Sequence, residues 1–107
     1  MIILSPHTRG TAFSYQFELA QGTFAFFATL TFRVFSAPPE TEEDVSDLLG
    51  SVELTEDDFD EDGKFGTVTI PNTDAWPLGR VYWYLEGGAA ATGLYSSIAS
   101  GIVEVLP

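Results

Sequence analysis

The residues best suited to chemistry by type and spacing lie in one short stretch, Asp57-Asp58-Phe59-Asp60-Glu61-Asp62-Gly63. Asp58, Asp60 and Asp62 alternate and Gly63 follows, which matches the opening of a calcium loop, where carboxylates converge and glycine makes the tight turn. The twelfth position counted from Asp58 is Thr69, where such a loop needs a bidentate Glu, and the flanks pattern as strands rather than helices. Two expectations follow. One is a β-flanked calcium site at Asp58, Asp60 and Asp62, closed by Asp57 or by an acid from residues 40–47. The other is an acidic hairpin tip ending in the Asp-Gly turn pair, with no cofactor at all.

Hydrolytic chemistry is poorly supplied. His7 is the one histidine, it falls in an N-terminal segment expected to be mobile, and there is no cysteine. No nucleophile-elbow motif is present, and Arg9, Arg33, Lys64 and Arg80 are too scattered to clamp a phosphate. The expectation is a protein without catalytic residues. Trp76, Tyr82, Tyr84 and Tyr95 are candidates for a sugar-stacking platform, set against the ordinary use of alternating strand aromatics as core and cross-strand pairs.

Charge narrows the partners. Four Lys/Arg stand against sixteen Asp/Glu, for a formal charge of −12. Nucleic-acid binding draws on cationic contacts to phosphate, so neither DNA, RNA nor an anionic membrane is expected as a partner. No basic-then-apolar leader is visible at the start, and the longest apolar run, around TFAFFATLTF, is too short for a membrane helix. The expectation is a soluble protein made without export.

These side chains must be positioned by strands, because the hydrophobic period is two. Phe13, Tyr15, Phe17 and Leu19 share one face of the first clear strand. Phe24, Phe26, Ala28, Leu30, Phe32 and Val34 share one face of a longer one, which ends at Pro38-Pro39. Residues 38–63 read as an acidic insertion, since twelve of the sixteen acids fall between Glu40 and Asp62 with no Lys or Arg among them. Within it, Asp44 is placed to cap one helical turn before Gly50, and SVELT reads as a short strand. Strands return at KFGTVTIP, where Gly66 suggests a bulge or close approach, and at RVYWYLE, LYSSIAS and IVEVLP. Residues 1–107 thus form a single all-β domain, an antiparallel sandwich or barrel of about seven or eight strands.

The cadence of TVTIPNTDAWPLGRVYWYLEGG followed by LYSSIASGIVEVLP resembles that of the small immunoglobulin-like β-sandwich virion proteins of tailed bacteriophages, of the capsid-decoration or tail and baseplate type. Ile70, Pro71, Gly79, Tyr82, Tyr84, Gly101, Ile102, Val103 and Val105 carry the likeness, and TLTFRVFS fits the long second strand. The departure is Pro38-Pro39 and the acidic insertion in place of a short polar turn. The resemblance implies an immunoglobulin-like fold and a structural role on the exterior of the virion, as capsid decoration or peripheral tail component. It also implies multiple copies, contacts to major capsid or tail proteins, and synthesis in the host cytoplasm. The competing expectation is a free-standing carbohydrate- or cell-surface-binding adhesion module, calcium-dependent if the aspartate loop is a site.

Edge strands offer unpaired backbone groups to another chain. The segments expected at an edge are MIIL, with Ile2, Ile3 and Leu4, and the terminal strand, with Val103 and Val105. The core is expected to draw on Phe13, Tyr15, Phe17, Phe24, Phe26, Leu30, Phe32, Val68, Ile70, Trp83, Leu85, Val103 and Val105.

Overall fold

A computed structural model of the chain describes residues 2–19, 23–40, 46–89 and 95–107. Its elements are β1 (Ile2–Ile3), β2 (His7–Thr8), β3 (Phe13–Glu18), β4 (Phe27–Phe35), β5 (Leu48–Glu53), β6 (Phe65–Ile70), β7 (Gly79–Ala89) and β8 (Tyr95–Leu106). One-turn 3-10 helices at Phe24–Phe26 and Glu56–Asp58 precede β4 and follow β5. There is no α-helix among the described residues.

The strands form two sheets. The larger runs in the order β1-β8-β7-β4-β5, with β2 also pairing β8, and the smaller contains β3 and β6. All pairings are antiparallel except those of β1 and β2 with β8, so the larger sheet is mixed. Phe13 stacks near Phe32, with ring centroids 6.1 Å apart, and Tyr15 lies 5.2 Å from Trp83, so the inner faces of the two sheets meet. This is an all-β, two-layer arrangement in which alternate residues of each strand enter a common core.

Phe32, Trp83, Leu30, Val68, Val81, Val34, Leu85, Val103 and Val105 are fully enclosed there. Tyr15 and Phe24 are only partly covered and pack at the margin of this core, while the side chain of Phe26 lies outside the described set. Leu19 continues the β3 alternation into it, and Leu54 and Trp76 join it at the ends of elements, where no alternation marks them in the sequence. Gly66 is a close approach, as expected: a Cβ there would sit 2.6 Å from the Phe17 ring and 2.7 Å from that of Phe59.

Several local expectations need correction. The run beginning at Phe24 starts as a helical turn and becomes strand only at Phe27. LYSSIAS and IVEVLP are one continuous strand, β8, with Gly101 inside it. Among the described residues no helical turn directly precedes Gly50: Leu48 and Gly50 pair with Phe35 and Val34 of β4, and Leu49 sits at the register shift between them. The cap expected for that turn, Asp44, lies outside the described residues. The acidic insertion is therefore partly sheet: β5 extends the larger sheet at the side opposite β1.

Candidate functional site

Among the described residues the N-terminal edge carries the most exposed large apolar side chain, Ile3. Ile2 and Ile3 align in parallel with Gly101 and Ile102, and His7 and Thr8 with Val105 and Leu106. Pro6, which cannot donate to a ladder, falls between the two short strands. Gly101 is what lets β1 approach. A Cβ there would collide with the Ile2 carbonyl and lie 2.8 Å from the Trp83 indole nitrogen. That nitrogen is buried and has no hydrogen-bond partner among the described residues. Ile2 is 43% and Ile3 74% exposed, and Leu106 is exposed on the same edge. Beside them runs an open groove of about 450 Å³ lined by Ile3, Leu4, Pro6, Gly79, Arg80, Ile102 and Glu104.

Of the five residues expected at a docking edge, the structure brings Ile2, Ile3 and Leu4 together there. Val103 and Val105 are corrected. Both are buried in the core, and the β8 backbone is paired by β7 on one side and by the two N-terminal strands on the other, leaving only the outward side chains of β8, such as Glu104 and Leu106, exposed. The open edge belongs to β1.

His7 is also not in a loose segment. Its ring lies 5.4 Å from Phe13 in an edge-on contact and 5.5 Å from Trp76. Its Nε2 is 3.1 Å from both the Thr11 carbonyl and the Thr73 hydroxyl. Thr73 is fully buried; its hydroxyl donates to the Thr11 carbonyl at 2.8 Å and accepts from the Gly10 amide at 2.9 Å. This knot ties the turn after β2 to the loop after β6. Trp76, buried against it, is unavailable for stacking on a sugar.

At the opposite side, the acidic tip is occupied with its own backbone. An Asp58 carboxylate oxygen accepts the Thr55 amide at 2.8 Å and faces the Thr55 hydroxyl at 3.3 Å, the capping box of the short helical turn. Asp60 Oδ1 accepts the amides of Lys64 and Phe65 at 3.0 and 3.1 Å. Gly63 takes the left-handed conformation, φ 69°, that its turn requires. Asp58, Asp60 and Asp62 are not gathered around one point: among the described residues no group of three His, Cys, Asp or Glu side chains could hold a metal ion. The acids expected from residues 41–45 to close a calcium site lie outside the described residues, while Asp58 and Asp60 serve the acidic turn. Capping two separate sets of amides aims the carboxylates at protein rather than at a shared cation.

The outer face of the larger sheet carries Arg33, Tyr82, Tyr84 and Glu86 across β4 and β7. Arg33 Nε lies 3.7 Å from Glu86 Oε1, and Phe35 meets Tyr84 edge-on at 5.6 Å. Burial raises the Tyr84 hydroxyl above its ordinary pKa, with smaller contributions from Tyr82 and Glu86, and burial alone raises that of Tyr15.

Comparison of the chain with protein-family models, curated proteins and solved structures finds no match. Sequence reasoning missed the His7–Thr73 knot, since it joins residues far apart in the chain. The signal at hand was a threonine beside a turn-forming Asn-x-Asp, where a hydroxyl commonly serves local backbone groups.

Proposed function

We propose that this chain is an immunoglobulin-like structural module that works through protein–protein contacts, as an exterior component of a tailed-phage particle on the capsid or the peripheral tail. The carrying observation is the separation of its two sides. Exposed Ile2 and Ile3 form an unpaired edge at one end of the larger sheet. The acidic run through Glu53, Glu56, Asp57, Asp58, Asp60, Glu61 and Asp62 follows β5 at the other end. An apolar edge favours docking on a neighbouring subunit, and a charge of −12 favours solvent or a basic protein over packaged DNA.

The immunoglobulin-like assignment is supported by the strand order, in which β1-β8-β7-β4-β5 packs on β3-β6 with the N-terminal strands parallel to the last one. Edge docking predicts that Ile2→Asp combined with Ile3→Asp abolishes incorporation into particles while the isolated domain stays folded. Gold label attached at the Asp58–Gly63 turn should appear on the outer surface of particles by electron microscopy. Label inside the shell, against DNA, would overturn the exterior placement.

A further inference from the structure

We infer that the open edge of β3 is a second docking site, which accepts an extended strand from a partner protein in which apolar and basic residues alternate. The inference does not depend on the particle reading. It begins with the sheet itself: β3 and β6 make a two-stranded sheet that faces a six-stranded one. The β6 edge is already occupied, since Phe59 bridges Gly66 and the Asp60 amide donates to the Phe65 carbonyl at 3.0 Å. Nothing comparable lies along β3 among the described residues.

The orientation of the β3 backbone follows from the ladder. Phe65 directs its carbonyl to the Asp60 amide and its own amide to the Asp60 carboxylate, away from β3. Leu19, in turn, donates to the Lys64 carbonyl at 2.8 Å. Because antiparallel pairs alternate between bonded and unbonded, Phe17, Tyr15 and Phe13 bond to Gly66, Val68 and Ile70. Ser14, Gln16 and Glu18 therefore aim their N–H and C=O groups outward, in unbroken register and with no bulge. The strand Phe-Ser-Tyr-Gln-Phe-Glu also lacks the lysine, proline or glycine that normally blunts an edge.

The occupant is specified by the two faces it would extend. Residues opposite Tyr15 and Phe17 would point inward, beside a Tyr15 ring that is only half-buried, and must be apolar. Residues opposite Gln16 and Glu18 would point outward. That face is negatively charged: Glu18 lies at the end of β3, and Gln16 shares a shallow depression with Phe59, Phe65, Thr67 and Thr69 that Asp57, Asp58 and Asp60 rim on the β6 side. Outward positions thus select Lys or Arg. A second copy of the chain is a poor occupant, since each carries −12.

The test uses the full chain with two synthetic peptides, one alternating valine and lysine, the other valine and glutamate. By NMR, saturation with the lysine peptide should slow amide exchange at Ser14, Gln16 and Glu18 by about tenfold or more, as hydrogen bonding requires. The glutamate peptide should bind at least about tenfold more weakly. Gln16→Pro, tolerated on an edge where the N–H faces solvent, should weaken the lysine peptide by a similar factor. Exchange at the three amides unchanged under saturation, or equal affinity for both peptides, would overturn the proposal. So would protection of these amides that grows with protein concentration in the absence of peptide, because the occupant would then be a second copy. The exchange measurement is made on the wild-type chain and needs no variant to fold.

Discussion

The carbonyl of Ile2 stands where a Cβ on Gly101 would have to be. One missing methyl group thereby decides whether the N-terminal strand can lie on β8. Gly101→Ala should push β1 off the sheet and cost about 1–3 kcal/mol as an overpacking change. Urea unfolding gives the magnitude. The Leu4 amide, which donates to the Ile102 carbonyl at 3.0 Å, gives the location. If that amide keeps its exchange protection in the variant, the contact is not what positions β1.

Phe32 lies between Phe13, Tyr15 and Trp83 and is fully buried. Phe32→Ala should cost about 3–5 kcal/mol. Phe65→Ala, on the solvent side of β6 at 44% exposure, should change stability by no more than about 0.5 kcal/mol. Similar losses for both would mean that the inward and outward faces have been assigned wrongly.

Removing the Thr73 hydroxyl without changing the shape of the side chain isolates the polar knot. Thr73→Val leaves the Gly10 amide without its acceptor and the Thr11 carbonyl without its shortest donor. A loss of about 1–3 kcal/mol is expected in chemical denaturation. A variant as stable as the parent would show that the knot is dispensable.

The acidic turn should be indifferent to calcium. Thermal unfolding is expected at the same temperature with calcium or with chelator, and Asp60→Ala should cost about 1 kcal/mol in either condition through the two amides it leaves uncapped. Calcium-dependent stabilisation that disappears in Asp60→Ala would establish a metal site.

Alkaline pH offers a separate check. Burial holds the hydroxyls of Tyr15 and Tyr84 above the ordinary tyrosine value, so the folded state keeps their protons longer than the unfolded chain does. Their contribution is therefore fully present below about pH 10 and is lost as pH rises through the folded-state values. Tyr15→Phe should shallow the alkaline decline measured by denaturant titration across that range. An unchanged slope would assign the decline to other groups.

The period-two pattern made the sheet legible wherever one face is buried and the other wet. RVYWYLE is the clearest case, with Val81, Trp83 and Leu85 inside and Tyr82 and Tyr84 outside. The pattern misled where tertiary contacts override local preference. Gly50 reads as a helix stop, yet β4 supplies a ladder that takes it into β5. Val103 and Val105 were legible as core and also read as an edge, because sequence cannot show that β1 and β2 fold back onto the last strand. The aspartate spacing fits a metal loop and a capped turn equally. The Thr55, Lys64 and Phe65 amides that Asp58 and Asp60 cap are not visible in that spacing.

Parallel pairing of β1 and β2 with β8 has a mechanical consequence. Ile2 lies level with Gly101, and Thr8 with Leu106, so both strands run in the same direction along their shared edge. Tension applied between Ile2 and Leu106 pulls the two strands past one another and loads their hydrogen bonds together, in shear. The β7–β8 hairpin, pulled apart at Gly79 and Val105, would instead peel open one bonded pair at a time. A molecule tethered near Ile2 and Leu106 resists force through its shortest strands, and yields there first once that shear contact gives way.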